Sequence, residues 1–536
     1  MRTSASGAQW RWDAETVLLA VVALGLATRT FNLNQSLFVD EAWVANAVLA
    51  DTLRDMLHYD WVPSPPPLFL LLVRAAVGLL GRSDVAFRIV PALAGMGSIV
   101  LLALLARRLL GATSAIVSVS LLVTSPVAYR WAISLKQYSS DAFVALVLIW
   151  VIYRYLDRPA WRNYLLLTGA YAVGLLLSYP AVFFVPCGLY ALALGGWRAR
   201  QGTSALPAAH LTRMGAFSLL MIAEGYLIYS AFIRPNVTPE LTRFWFSDFP
   251  SGGGIRPALS YLLHRWPGLA SDFPPGEPRM EVAVAVVLVV ALGALRSLVS
   301  ALRRDPDAAQ LFVIGASASL ALAAAGALKR YPVSEERTSL FLLPLLILWF
   351  VLGLRMIGDG LGGGPRAERL RDGLALAVRW ACPALVLVFF FLHVRRYHST
   401  EEDKAAVAYL LEHVDRNDAL YVHASMFEQF RFYRGRMDRQ DSLAVYFGDT
   451  GWRCCTRNNE THLKTMDYDF LRSDLLSFLS ARPARRRWFL FIDRPGDWGG
   501  RDDPKLFTEI LENRQCRQET EKRFTGVLIR AFRCAA

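Results

Sequence analysis

Two adjacent acids, Asp40 and Glu41, stand in the segment FNLNQSLFVDEAWVANAVLA, just beyond an apolar run that ends near residue 31. A carboxylate can take a proton as a general base, and a pair of them offers hard oxygen ligands to a divalent metal. Further along, RWAISLKQYSSD carries Lys136, Tyr138 and Asp141, and KRYPVSEERTS carries Lys329, Arg330 and Arg337. Clustered Lys and Arg suit a phosphate, to which Arg presents a bidentate fork. An acid beside cations suits a step in which a nucleophile loses its proton while a phosphate leaves. Each fragment also has a plainer use. Acids in a first turn complement the helix dipole, a lysine snorkels at an interface, and SEERTS reads as a solvated loop. Only their collection on one face argues for chemistry.

The elements that must position them are membrane helices. The chain has 536 residues, of which 54% are hydrophobic and 19% charged, with a mean hydropathy of +0.31. A soluble chain carries about a quarter charged residues. The apolar excess sits in blocks of 16 to 24 residues between Thr16 and about Val394, whereas residues 397–536 read as ordinary soluble protein. The net charge of +13 is equally uneven. Residues 397–536 hold 23 Lys and Arg against 22 Asp and Glu, which leaves +12 in the first 396 residues. Basic residues gathered in short loops between spans are the positive-inside signal, so nucleic acid is excluded as a partner.

A span needs about 20 apolar residues. Candidates lie near 15–31, 88–106, 111–129, 141–156, 163–179, 181–196, 214–233, 281–301, 308–328, 340–357 and 375–394, about 11 in all. The stretch PLFLLLVRAAVGLLG, residues 67–81, is different. Its fifteen residues make a helix of about 22 Å, and Arg74 stands at its centre. With this stretch lying at the interface, the basic loops at Arg107/Arg108, Arg154/Arg158/Arg162, Arg198/Arg200, Arg303/Arg304 and Arg366/Arg369/Arg371 all fall on one side. With it spanning, every one of them flips outward. The charge pattern therefore puts the N-terminus in the cytoplasm and residues 397–536 outside. No cleavable signal peptide is evident, and the first apolar run reads as an uncleaved span. The outer loops then hold all the residues singled out above.

The expected architecture is a polytopic α-helical membrane part, residues 1–396, with juxtamembrane helices in the first outer loop. A small α/β unit, residues 397–536, follows it outside the membrane. In that unit, EEDKAAVAYLLEHV and KLFTEILENR have helical patterns, and DALYVHA, RRRWFLFID and FTGVLIRAF have strand patterns. His423 follows the first of these strands. Cys454, Cys455, Cys516 and Cys534 all fall there, so one or two disulfides are open to it, with three complete pairings.

Taken together, LFVDEAW, SPPPLFLLLVRAAVGLLGRSDVAFRIVPALAG, LKQYSSDAF and ERTSLFLLPLLIL resemble the GT-C superfamily of membrane glycosyltransferases. The nearest branch is family 39, with the protein O-mannosyltransferases and the lipid A aminoarabinose transferases. The similarity covers most of residues 10–400. The resemblance implies an inverting transfer of a sugar from a polyprenyl-phosphate donor to a protein, lipid or polysaccharide acceptor, at the outer face of the cytoplasmic (inner) membrane among its lipids. It implies that Asp40 is the base, with Glu41 orienting it, binding a metal or contacting the acceptor. Lys136, Tyr138 and Asp141 match the second outer loop, where the first two would face the donor phosphate and Asp141 would be the further acid. Lys329, Arg330 and Arg337 would complete the phosphate site. The family's His-Pro-Pro is Ser64-Pro65-Pro66 here, which removes an imidazole. Nothing compels a cofactor, and a divalent metal on Asp40 and Glu41 is the one these residues would suit. The competing reading is a transporter or flippase of a lipid-linked sugar, but the acids lie in loops rather than at the bilayer midplane, and the halves show no clear repeat.

Overall fold

The computed structural model describes residues 13–59, 65–198, 208–236, 249, 256–257, 280–302, 306–333, 337–360, 364–399, 401–437, 443–448, 468–481, 484–493 and 502–534. Ser64, Cys454 and Cys455 lie outside the described residues.

The chain is a polytopic helical membrane protein carrying a small α/β unit near its C-terminus, as the composition requires. Among the described residues, seven helices are long and apolar enough to cross a membrane: Asp84–Leu110, Tyr138–Asp157, Tyr179–Arg198, Ala208–Ile233, Ala309–Ala327, Leu340–Asp359 and Glu368–Val394. Ala112–Thr124 and Pro126–Ala132 make an eighth if counted as one broken span, bent by 64°. The break is written in the sequence. Pro126 lacks an amide hydrogen and pushes Ser125 into an extended conformation, from which the Ser125 hydroxyl accepts from the Ala128 amide at 3.2 Å. The count of about 11 is not reproduced by length and apolarity. Ala14–Thr28 and Trp161–Leu177 are helical but short, with 15 and 17 residues, and Met280–Leu302 is a helix of 23 residues whose apolar stretch is Val284–Ser300. Pro67–Leu80 is a separate helix of 14 residues, broken from the long Asp84–Leu110 helix at Gly81, whose φ of +79° favours glycine.

Small residues allow one close helix crossing. A side-chain carbon at Gly293 would collide with the Trp349 carbonyl, and one at Gly353 with the Val289 carbonyl, so two backbones touch where Met280–Leu302 crosses Leu343–Asp359. Gly353→Val should force these helices apart and cost about 1–3 kcal/mol. A thermal unfolding midpoint unchanged from wild type would refute that packing argument.

The C-terminal sheet has five strands: β1 Ala419–Val422, β2 Ala444–Phe447, β3 Arg486–Ile492, β4 Arg517–Phe524 and β5 Val527–Arg533, in the order β2-β1-β3-β5-β4. β1 runs parallel to β2 and β3, while β5 runs antiparallel to β3 and β4. Alternate residues serve opposite faces, as the two-residue strand period dictates. Tyr421, Phe489, Phe491 and Phe532 pack under the Tyr468–Ala481 and Asp503–Glu512 helices. Leu420, Val422, Trp488, Leu490 and Ile529 join a core with Ala42, Val44, Ala45, Phe69, Leu70, Phe87 and Leu135 from the first two loops and their neighbouring helices. The sheet therefore shares a core with the segment that carries Asp40. His423, at the end of β1, is buried and bonded to Asp503 at 3.0 Å and Ser425 at 2.7 Å, a tie within the fold. Cys516 and Cys534 form a disulfide, and Cys187 and Cys382 are free.

Candidate active site

Asp40 and Glu41 open the helix Val39–Val48, and one step along a helix sends their side chains to different surroundings. Glu41 is fully buried. Its Oε1 accepts from Arg88 Nε at 2.8 Å and from the Leu135 amide at 2.5 Å. Its Oε2 accepts from Arg88 Nη2 at 2.5 Å and from the Phe38 amide at 3.2 Å. Four donors saturate the carboxylate. A metal or an acceptor could reach Glu41 only by breaking these bonds. Through the Leu135 amide Glu41 holds the second loop beside the Asp40 helix. Through Arg88 it secures the first loop, because that guanidinium also donates to the carbonyls of Leu33, Gln35 and Ser36 at 3.1, 2.6 and 2.8 Å.

Asp40 faces the other way and is partly open, with a side chain 36% exposed. Lys136 Nζ lies 3.5 Å and Arg337 Nη1 3.9 Å from its Oδ2. These two cations come from the second loop and from the turn before the Leu340–Asp359 span, and the fold brings them to one carboxylate oxygen. Both separations are long for a tight ion pair. Arg337 also hydrogen-bonds the buried Tyr138 side chain.

Asp141, one helical turn beyond Tyr138, is buried beside Ser178, and its Oδ1 meets no hydrogen-bond donor among the described residues. Tyr331 stands near both Tyr138 and Asp141. Burial, reinforced by the Asp141 charge, raises its phenol well above the ordinary range, so it stays a hydroxyl and donates to the Thr338 carbonyl at 3.0 Å. Lys329 and Arg330 are exposed on the turn after Ala327, Lys329 in a left-handed conformation with φ +53°, and among the described residues neither pairs with Asp40. Nor, among the described residues, does any group of three His, Cys, Asp or Glu side chains converge there as a metal site. With Glu41 saturated, the donor set does not fit the divalent metal that the acid pair suggested.

Arg88 escapes a reading by motif because it sits at the edge of a predicted span. The signal that would have found it is the charge itself, since an arginine at the start of an apolar helix needs a buried counter-ion. Tyr331 had no signal beyond its place between two basic residues and a proline.

Residues 64–228 match the family of dolichyl-phosphate-mannose-protein mannosyltransferases. Among curated proteins none matches the sequence. In fold, the chain is similar to ArnT from Cupriavidus metallidurans in the apo state, at 14% identity and a TM-score of 0.55, over 97% of this chain and 98% of that one. It is similar to the same enzyme bound to undecaprenyl phosphate at 15% identity and a TM-score of 0.52, with the same coverage. The Archaeoglobus fulgidus oligosaccharyltransferase, in complex with zinc and sulfate, follows at 11% identity and a TM-score of 0.50, over 88% of this chain and 67% of that one. The chain is thus similar to the mannosyltransferase family over residues 64–228, and to ArnT in fold over nearly all of its length.

Proposed function

We propose that this protein is an inverting glycosyltransferase that moves a sugar from a polyprenyl-phosphate donor to an acceptor at the outer face of the cytoplasmic membrane. The observation that carries the reading is the convergence of Lys136 and Arg337 on the partly open carboxylate of Asp40. The bound undecaprenyl phosphate of ArnT, a protein of similar fold, supports the donor class. In this orientation the N-terminus is cytoplasmic and the C-terminal sheet lies outside.

The acceptor's hydroxyl or amine attacks the anomeric carbon, and Asp40 takes the proton that the nucleophile loses. The bond between that carbon and the phosphate oxygen breaks as the new one forms, and polyprenyl phosphate departs with the electron pair. Lys136 and Arg337 meet the charge growing on the leaving phosphate. Tyr138 holds Arg337 in place. Lys329 and Arg330, exposed on the turn leading to Arg337, would meet the lipid phosphate as it enters. Asp141 supplies a buried acceptor for a sugar or acceptor hydroxyl. A single base suffices for inversion, because no covalent sugar–enzyme intermediate forms.

The test is transfer of labelled sugar from a panel of polyprenyl-phosphate donors by purified protein in vesicles, with a membrane extract as acceptor. Label entering an acceptor supports the reading; donor crossing the bilayer without transfer would establish a flippase instead. Within the same assay, Lys136→Met and Arg337→Met should each raise the donor KM about tenfold, close to 1.4 kcal/mol of phosphate binding. A donor KM unmoved by both changes would remove these residues from the phosphate site.

A further inference from the structure

We infer that Glu401, from the C-terminal part of the chain, is a positioning residue for Asp40: it caps the helix that carries the base and so sets the base's place opposite Lys136 and Arg337. The inference rests on Asp40 being that base.

The need for an outside cap begins in the sequence. The Val39–Val48 helix starts after Phe38, whose side chain has no acceptor for the amides that every helix leaves unsatisfied at its start. The Phe38 amide itself is satisfied by Glu41. The next amide, that of Val39, donates 3.0 Å to Glu401 Oε2, a contact across 362 positions of chain. The preceding amide, that of Leu37, donates 2.7 Å to the Tyr433 hydroxyl. Two of the three amides that lead into the base helix therefore end on residues of the C-terminal part.

Glu401 is itself held firmly. It is 1% exposed, and Gln429 Nε2 approaches the same Oε2 at 3.5 Å. Its neighbour Glu402 is strapped to the turn between β4 and β5. There the Glu402 amide donates to the Thr525 carbonyl at 2.8 Å, and the Glu402 carboxylate accepts from the Thr525 amide at 2.8 Å. The far half of the base helix is fastened too, since Asn46 Nδ2 donates to the Glu428 carboxylate at 2.6 Å. The Phe427–Arg436 helix packs along the base helix between these points.

None of these groups touches Asp40 Oδ2, so their effect on chemistry runs through the helix backbone. Asp40 follows Val39 directly, and a helix start that slides or frays carries its carboxylate away from cations already 3.5 and 3.9 Å distant. A misplacement of about 1 Å is enough to cost a reaction on the order of a hundredfold. In this arrangement the C-terminal sheet is the rigid body against which the base is set.

The test compares Glu401→Ala and Glu401→Gln in the full-length protein in lipid nanodiscs, by donor kinetics and by amide hydrogen exchange. Glutamine keeps a carbonyl oxygen for the Val39 amide; alanine does not. Glu401→Ala should lower kcat about tenfold to a hundredfold, leave the donor KM within about twofold, and speed exchange at residues 38–42 while β1 and β3 stay protected. Glu401→Gln should keep most of the wild-type kcat. Wild-type turnover and exchange in Glu401→Ala would overturn the inference. So would equal losses in both variants, which would make the charge rather than the cap responsible. Faster exchange throughout the sheet would reduce the residue to a general stabiliser. Should the wild-type protein transfer no sugar, the glycosyltransferase reading fails by itself, and the exchange comparison still decides whether Glu401 holds the helix.

Discussion

Asp40→Asn should reduce sugar transfer by about a hundredfold to ten-thousandfold, the range contributed by a positioned general base. The change keeps the size and shape of the side chain and removes its ability to accept a full proton from the attacking group. Asparagine is also tolerated near a helix start, so the Val39–Val48 helix should persist. Lys136 and Arg337 lose their shared anionic neighbour and become freer to hold phosphate, so donor binding should be kept or strengthened. Initial rates at saturating donor, with binding of undecaprenyl phosphate measured alongside, separate the two effects. Retention of more than a tenth of the wild-type rate would take the base role from Asp40. Loss of donor binding together with rate would point to a collapsed site instead.

The largest effect on stability should come from Arg88→Ala. Removing one partner of a buried ion pair leaves the other charged and unsolvated, which costs about 3–5 kcal/mol. Here the abandoned group is Glu41, fully buried between two loops. The carbonyls of Leu33, Gln35 and Ser36 lose a donor in the same stroke. A marked fall in the thermal midpoint is expected, with transfer lost as well because the loop bearing Lys136 hangs from Glu41. The double change Glu41→Gln with Arg88→Met should recover part of the stability, since neither buried charge then remains. A midpoint for Arg88→Ala within a degree of wild type would show that water reaches Glu41 and that the ion pair holds nothing together.

These two predictions concern adjacent acids, and their contrast shows how far residue types carry. Both acids were legible as a pair of interest, but nothing in their identity said which was open. Helix geometry turns successive side chains by about 100°, so one falls on the open side and the other on the packed side. Which side is which depends on what the helix rests against. Lys136 and Arg337 were legible as cations on the proper face, and the structure gathers both. Lys329 and Arg330 had the same credentials and stay on an exposed turn. Sequence marks a charge as a candidate; loop packing decides whether it stands beside Asp40.

By itself the sequence determined the membrane class and the small C-terminal α/β unit, and it marked the segments that bring Asp40, Lys136 and Arg337 together. Each of these follows from local composition, since about 20 apolar residues in a row have nowhere to go but a bilayer or a core. The tertiary structure alone decided that Glu41 is bound to Arg88 and that Cys516 pairs with Cys534. It alone decided that Glu401 reaches back to the helix that carries Asp40. Those contacts join positions far apart along the chain, and their free energy depends on burial, distance and direction, which only the packed chain supplies.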